Sequence, residues 1–338
     1  MNANTQHLST SCGYEPGSLP SIGASGEAHR VGIVRVCSLL PSATEIVAEL
    51  GLIDSLVGVS EECRWPPEVV GKPVVTAARI DPSSLTSIEI DAAVRASLVE
   101  GGSLYAVDAD LIAGLDPDLI VTQDLCAVCA VSSTELADAC PVGADVLSLD
   151  PRTLDEVAAS VRRLAERLDA VTEGDRIAAR MNSSIEETAK AVRGRVPRRV
   201  FFAEWLDPPF CAGHWVPEMV AIAGGRDVIG VAATPSRSVT WREVRELDPE
   251  LVVLGPCGFS AEEAAEGAVG LEFPCPTVAV DGDSYFSRPA PRLADGVRQL
   301  AHLFHPDAVP DPGLPAIWLG AGLTAPSDDG RPLPSASR

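Results

Sequence analysis

Three aromatic and proline-rich loops are the features of this sequence best suited to holding a ligand. They cover residues 63–67, 205–210 and 285–289. The middle loop directly follows a strand predicted to end near Glu204. Loops at the carboxyl ends of parallel strands form the ligand crevice of α/β sheets. Aromatic rings held by proline suit a large flat ligand with an apolar face, although each ring could equally cap a hydrophobic core.

The candidate ligand-binding residues lie in these loops or beside them. They are Trp65, Trp205, Phe210, His214, Trp215, Tyr285, Phe286 and Arg288. His214 stands in the sequence Gly-His-Trp, where its imidazole could coordinate iron or cobalt. The alternative is a loop histidine bonded to the backbone.

Cys126 and Cys129 have the C-x-x-C spacing of a metal or redox pair. A structural zinc site normally contains two such close pairs, and this chain has one. Three interpretations therefore stay open: free thiols, a bound zinc or iron ion, or a redox pair. Cys63, Cys211 and Cys257 also follow predicted strands, and Cys63 and Cys257 are, with His214, further candidate ligands.

Glu45 stands three residues after Ser42, which is the spacing of a helix capping box. This structural role accounts for Glu45 without any functional one. The sequence contains no nucleophile elbow, Walker loop, dinucleotide fingerprint or His-Glu-x-x-His motif. It therefore favours a binding protein over an enzyme.

Alternating strands and helices must position these residues. A β-rich run at 34–40 is followed by a short helix, and further strands are predicted at 56–59 and 73–75, as in a parallel α/β sheet. Residues 115–121 reappear in similar form at 247–253, with Asp-Pro before an apolar strand in both copies. This repetition predicts two lobes built on the same plan.

A helical region at residues 151–196 connects the two predicted lobes. Apolar residues recur there at intervals of three and four. We expect this region to pack against both lobes and to resist hinge bending. The predicted organisation is a disordered arm at 1–30, an α/β lobe at 31–150, the bridging region at 151–196, a second α/β lobe at 197–305 and a proline-rich tail at 306–338.

Composition limits the partners and the location. The formal net charge is −22, and so acidic a surface repels nucleic acid. No apolar run approaches the ~20 residues that span a membrane. The first thirty residues do not show the pattern of a secretory signal, and the chain has nine cysteines. These features predict a cytoplasmic protein.

The chain resembles the Fe/B12 periplasmic-binding domain family, the cobalamin- and siderophore-binding subunits of ABC importers, over residues 35–305. The resemblance rests on residues 38–45, 122–130, 204–210, 239–241 and 285–292. It implies two Rossmann-like lobes with parallel sheets, joined by a long helical backbone, with little closure on binding. The corresponding branch is the one described as cobalamin-binding.

The resemblance also implies a ligand, a partner and specific roles. A corrinoid would lie between the lobes against Phe210, Tyr285 and Phe286, and Glu45 and Glu243 would dock onto the permease of an ABC transporter. The cysteine loop departs from the importer-type B12 binders. The sequence thus predicts a non-catalytic cytoplasmic carrier of cobalamin or a related metal-bearing ligand. The alternative is a cysteine/histidine metalloprotein or redox enzyme that uses Cys126 and Cys129.

Overall fold

The computed structural model describes residues 33–80, 85–99, 104–124, 136 and 143–320, and two β-sheets organise this part of the chain. We call the first sheet with its helices the first lobe, and the second sheet with its helices the second lobe. Within the described ranges, no helix is both long enough and apolar enough to cross a membrane.

The first sheet is parallel, with strand order β2-β1-β5-β6. Its strands are β1 (Val36–Ser38), β2 (Leu56–Val59), β5 (Leu119–Thr122) and β6 (Asp145–Ser148), and β3 (Thr76–Ala78) and β4 (Tyr105–Val107) form a separate antiparallel pair. The central strands β1 and β5 are buried along their whole length, as expected for apolar strands covered on both faces.

Helix α1 (Pro41–Glu49) connects β1 to β2 and differs from the predicted capping box. The helix begins directly after Leu40, because the fixed φ of Pro41 already suits the first helical turn. Ser42 therefore lies inside the helix and is not its N-cap. Leu40 is the N-cap of this helix and makes no side-chain capping hydrogen bond, so the prediction that Ser42 and Glu45 form a capping box is wrong.

Two further helices belong to the first lobe. Helix α2 (Ser87–Val99) lies between β3 and β4, and α3 (Ala109–Leu115) precedes β5. The Asp108 side chain caps α3 by accepting from the Leu111 N–H at 2.9 Å.

Helices α4 (Leu154–Arg167) and α5 (Val171–Ala191) lie between the two sheets in sequence and pack as an antiparallel pair. One set of their apolar residues joins the core of the first lobe, and another joins the core of the second. The first set includes Val161, Leu164 and Ile177, and the second includes Leu154, Val157 and Met181. The periodic apolar residues of the sequence are thus shared between both cores.

The second sheet has the strand order β12-β11-β10-β7-β8, and β9 also pairs with β7. Its strands are β7 (Arg198–Leu206), β8 (Pro209–Cys211), β9 (Gly225–Asp227), β10 (Leu251–Leu254), β11 (Thr277–Val280) and β12 (Ala316–Leu319). Its helices are α6 (Val216–Ile222), α7 (Trp241–Glu246), α8 (Ala261–Gly267), α9 (Gly282–Tyr285) and α10 (Leu293–Phe304). Val200 and Phe202 enter the core on one face of this sheet, and Phe201 and Ala203 enter the core on the other.

The internal repeat has a direct structural counterpart. Asp116 and Asp248 both end a helix with positive φ, at 43° and 49°, and a central strand follows each of them. The Arg35 and Arg199 side chains both donate to carbonyls at these helix ends. Their backbone N–H groups each donate to a carboxylate at the start of the next strand, at 2.8 Å in both cases.

The end of the chain differs from the predicted tail at 306–338. Ala316–Leu319 forms β12, which pairs antiparallel with β11 at the edge of the second sheet. The Gln299 side chain donates to the carbonyl of Pro315 at 2.9 Å and fixes the approach to this strand. Four residues are enough for an edge strand, and the prolines around them hid the signal.

Candidate ligand site between the two lobes

The two lobes contact each other near the carboxyl ends of their strands. Arg288, which follows β11, donates to the carbonyl of Glu62, which follows β2, at 3.2 Å. Trp205, near the end of β7, donates through its indole N–H to the carbonyl of Ser87 in α2 at 3.2 Å. We call the space between these two edges the interlobe cleft.

A buried ion-pair cluster joins the lobes at one side of the cleft. Arg292 of the second lobe donates to both carboxylate oxygens of Glu45 in the first lobe, at 3.0 and 2.5 Å. Arg288 donates to Glu45 at 3.3 Å and to Asp283 at 2.7 Å. Charge-assisted pairs of this geometry are strong and directional. The positive charges of two guanidinium groups are therefore balanced by two carboxylates.

This cluster changes the interpretation of two sequence-predicted residues. Glu45 is 3% exposed and its carboxylate faces the second lobe, so the predicted docking onto a transporter is corrected for this residue. Arg288 is 7% exposed and already bound to carboxylates, so it supports the wall of the cleft rather than facing a ligand.

Arg292 also lies between two aromatic rings. Its guanidinium carbon is 4.9 Å from the ring centre of Trp65 and 5.6 Å from that of Tyr285. Both distances fit a cation–π contact. Trp65 remains 44% exposed and Tyr285 is half-buried. Burial raises the pKa of the Tyr285 hydroxyl, so it stays protonated at neutral pH.

Trp205 and Phe210 form a second aromatic group at the opposite side of the cleft. They are paired residues of the β7–β8 hairpin, and both are half-buried. The Trp205 ring meets Phe259 edge-on, with 5.4 Å between the ring centres. This packing fixes the indole while leaving part of its surface accessible.

Two other predicted aromatic residues belong to the core instead. Phe286 is 1% exposed and packs against Phe202 at 5.1 Å. Trp215 is 5% exposed, and its indole N–H donates to the Phe286 carbonyl at 2.7 Å. Their assignment as ligand contacts is corrected, because sequence position beside a loop does not tell whether a ring points inward.

His214 lies where the second lobe approaches the start of the bridging helices. Its backbone has φ 49° and is held by two hydrogen bonds to the loop at Ala233 and Thr234. Burial, and then the nearby Arg152 guanidinium, lower the pKa of the imidazole. The ring is therefore uncharged at neutral pH, which is the form that coordinates a metal.

Some of the candidate thiols lie within the described residues, and others lie outside them. Cys126 and Cys129 lie outside the described residues, whereas Cys63, Cys211 and Cys257 lie within them. Burial raises the pKa of the Cys63 thiol to about 11, and it also raises that of Cys211. Among the described residues, no group of three or more His, Cys, Asp or Glu side chains is arranged to hold a metal ion.

Glu243 occupies the third position of α7 in a capping box. It accepts from the Thr240 N–H at 2.7 Å and from the Thr240 hydroxyl at 2.9 Å. These hydrogen bonds lower the pKa of the Glu243 carboxyl. The side chain is exposed on the second lobe.

Several residues of the site were not selected from the sequence as ligand-site residues. Arg292 and Asp283 complete the ion-pair cluster, the Glu62 carbonyl accepts from Arg288, and the Ser87 carbonyl holds Trp205. Arg292 stands four positions after Arg288, a spacing that could have pointed to it. Its partner Glu45 is 247 positions away, and no local pattern signals that pairing.

Comparison with known proteins gives the same architecture. A family model described as periplasmic binding protein matches residues 36–273. A vitamin B12-binding protein of Vibrio cholerae is 24% identical over 276 residues, which is 79% of this chain and 87% of the relative. A vitamin B12-binding protein of Pectobacterium atrosepticum is also 24% identical, over 79% of this chain and 86% of that protein.

Two solved structures have a similar fold. The periplasmic vitamin B12 binding protein BtuF of Vibrio cholerae has a TM-score of 0.58 and 23% identity, covering 79% of this chain and 94% of that one. The periplasmic heme-binding protein RhuT of Roseiflexus sp. RS-1 has a TM-score of 0.59 and 21% identity, covering 80% and 97%. The predicted α/β fold of the periplasmic-binding-protein type is confirmed.

These findings also decide two other sequence-based predictions. The matching family and the relatives named here are binding proteins, so the prediction of a ligand-binding protein rather than an enzyme is confirmed. The prediction of a cytoplasmic protein is wrong, because the family and both solved structures are described as periplasmic. The composition of the first thirty residues was not a sufficient guide to location.

Proposed function

Because this chain belongs to the periplasmic binding protein family, we propose that it binds a corrinoid, specifically cobalamin, in its interlobe cleft. The curated relatives named above are vitamin B12-binding proteins, whereas the similar solved structures include binders of vitamin B12 and of heme. The choice between a corrinoid and heme therefore depends on this chain's own residues.

The charge balance of the ion-pair cluster beside the cleft favours the corrinoid. Heme carries two propionate carboxylates, which need cationic partners, whereas the rim of a corrin ring carries mainly uncharged amides. The guanidinium groups of Arg288 and Arg292 are already compensated by Glu45 and Asp283. Adding two further carboxylates beside this neutral cluster would cost electrostatic free energy, because neither guanidinium is left uncompensated. This balance is the observation that carries the proposal.

The exposed parts of the aromatic side chains provide the apolar contacts. Trp65 and Tyr285 lie on one side of the cleft, and Trp205 and Phe210 lie on the other. A corrin ring is wide and flat, and its apolar faces match such surfaces. The neutral imidazole of His214 would be the candidate axial ligand to cobalt.

The proposed partner is the permease of an ABC importer. Glu243 is the docking candidate that stays exposed, on the second lobe. Glu45 is not proposed for this role.

Calorimetric titration of the purified chain with hydroxocobalamin, cyanocobalamin and hemin tests the assignment. We expect both cobalamins to bind, with hemin at least tenfold weaker, which corresponds to about 1.4 kcal/mol. Hydroxocobalamin should bind more tightly than cyanocobalamin, because its axial water exchanges more readily with an imidazole than cyanide does. Tighter binding of hemin would contradict the corrinoid assignment.

A further inference from the structure

Helix α2 lies in an excursion of the chain between two paired strands. The excursion leaves β3 after Ala78 and returns to β4 at Tyr105, and these two residues are partners in the antiparallel pair. Arg79 closes its base, with the backbone N–H donating to the Leu104 carbonyl at 2.9 Å and the side chain donating to the Tyr105 carbonyl at 3.2 Å. The base of the excursion is therefore fixed on the first lobe.

The beginning of α2 rests on the second lobe. The Ser87 carbonyl accepts the hydrogen bond from the Trp205 indole, and the Trp205 ring is itself packed against Phe259. A Cβ atom built on Gly267 at the end of α8 would lie 3.9 Å from the Ser87 hydroxyl oxygen. The excursion thus reaches from one lobe to the other beside a candidate ligand residue.

One side of α2 is half-covered, and the other is exposed. The half-buried residues at helical spacing along this side are Ser87, Ile90, Asp91, Val94 and Ser97. The Ser87 hydroxyl, which belongs to this side, lies near Gly267 of the second lobe, so this side of α2 is the one turned towards the second lobe. Ile88 points away and is 54% exposed. None of the α2 side chains whose burial is described is fully buried.

A helix of this length needs a covering surface. Isolated helices shorter than about 12–15 residues are marginal in water, and packing of one apolar face supplies most of their stability in proteins. In α2 the side that carries Ile90 and Val94, with the polar Ser87, Asp91 and Ser97 beside them, is only partly covered by the described residues. A ligand beside Trp205 would cover the rest.

We propose that α2 forms a wall of the ligand site, and that Ile90 and Val94 pack against the bound ligand. This proposal rests on the proposed function, because the ligand it requires is the macrocycle in the interlobe cleft. The two aliphatic side chains would contact the apolar face of the ring. Trp205 would act both as a ligand contact and as the anchor of the helix.

The rate of hydroxocobalamin dissociation tests whether α2 forms a wall of the site. Stopped-flow absorbance measures this rate after excess competitor is added. The Ile90→Ala/Val94→Ala pair should release the ligand about tenfold faster than the wild type, since it removes several buried methyl groups. Ile88→Ala is the matched control, because it truncates an aliphatic residue of the same helix on the exposed side. It should stay within about twofold of the wild type.

Hydrogen exchange provides the second measurement. Backbone amides of α2 should exchange more slowly when hydroxocobalamin is bound, and this protection should be lost in the Ile90→Ala/Val94→Ala variant. If the wild type binds hydroxocobalamin but all three proteins release it at the same rate, α2 does not form a wall of the ligand site, and the proposed function still stands. Strong protection of the α2 amides from exchange in the ligand-free protein would also contradict the proposal, since the chain itself would then cover the helix. A wild-type protein that binds no cobalamin would contradict the proposed function, and the wall with it.

Discussion

The distant pairing of Glu45 with Arg292 gives the cleft a neutral, rigid side. The carboxylate holds two guanidinium groups from the other lobe, and Arg292 in turn supports the rings of Trp65 and Tyr285. The aromatic surfaces are therefore positioned before any ligand arrives. Preorganisation of this kind lowers the entropic cost of binding.

Truncation of Phe210 tests the other aromatic side. The half-buried ring lies beside Trp205, and its loss should weaken cobalamin binding about tenfold or more, since an aromatic face buries apolar area worth about 25 cal/mol per Å². Calorimetric titration of Phe210→Ala gives the affinity. Phe273→Ala is the matched control, because Phe273 is a phenylalanine of the same lobe whose ring packs against Trp241 and a core cluster. Equal affinities for the two variants would contradict a ligand contact at Phe210.

Asp227 gives the stability of the second lobe a specific pH dependence. Burial raises the pKa of this carboxyl to about 6, although its Oδ1 accepts from the N–H groups of Ile229 and Gly230. The unfolded value is near 3.9, so the folded state binds more protons between about pH 4 and pH 6. The buried charge of Asp227 therefore lowers the free energy of unfolding above pH 6. Protonation below pH 6 removes this loss of stability.

The Asp227→Asn variant separates this effect from other titrations. Asparagine keeps an acceptor oxygen for the two N–H groups and removes the charge. The variant's gain in free energy of unfolding over the wild type should be about 1.4 kcal/mol larger at pH 8 than at pH 5, because part of the gain is already present at pH 5, above the unfolded pKa. Urea unfolding at both pH values measures this difference. If the variant and the wild type differ in free energy of unfolding by the same amount at both pH values, the Asp227 charge does not contribute to the pH dependence of stability.

At the scale of elements, the bridging pair α4 and α5 depends on a close approach at Gly174. A Cβ built on this glycine would lie 2.3 Å from the Cβ of Ala165, so the two helices could not keep their present separation with any larger residue. Overpacking of this kind typically costs about 1–3 kcal/mol. The glycine is thus required by packing, although it lowers helix propensity.

Gly174→Ala should lower the midpoint of thermal unfolding despite the better helix propensity of alanine. Gly114→Ala in α3 is the matched control, because a Cβ there meets nothing within 4 Å. It should raise stability by up to about 1 kcal/mol, the usual difference between the two residues in a helix. Thermal unfolding followed by circular dichroism compares them. A Gly174→Ala protein as stable as the control would show that the helices can separate without cost.

The helices and strands show which parts of the fold local sequence patterns can predict. The strand–helix alternation, the bridging helices and the Asp-Pro repeat were predictable, because each follows from hydrophobic periodicity and turn chemistry. The start of α1 was mispredicted because Pro41 and Ser42 both suit a helix start. Phe286 and Trp215 were misassigned because the direction of a ring beside a loop depends on tertiary packing. The strand β12 was missed because the prolines around its four residues hid the strand signal.

At the scale of the whole molecule, two kinds of connection hold the lobes. The bridging helices contribute apolar residues to both cores, with Val161 in the first and Val157 in the second. The cluster around Glu45 adds a polar connection at the cleft. Hinged binding proteins close by changing the backbone angles of a few linking residues. Here such a motion would have to separate packed helix faces and a buried ion pair together.

Ligand should therefore change the shape of the molecule very little. We expect small-angle X-ray scattering to give the same radius of gyration, within error, without ligand and with saturating hydroxocobalamin. The reason is energetic: a closing motion would have to separate Glu45 from Arg292, and any charge left buried without its partner is costly, so new ligand contacts would have to offset that cost. Saturation is checked by absorbance of the same sample, so an unchanged radius cannot come from absent ligand. A clear compaction on binding would mean that the cluster and the helix pair do not hold the lobes, and that the protein closes around its ligand as a hinged binding protein does.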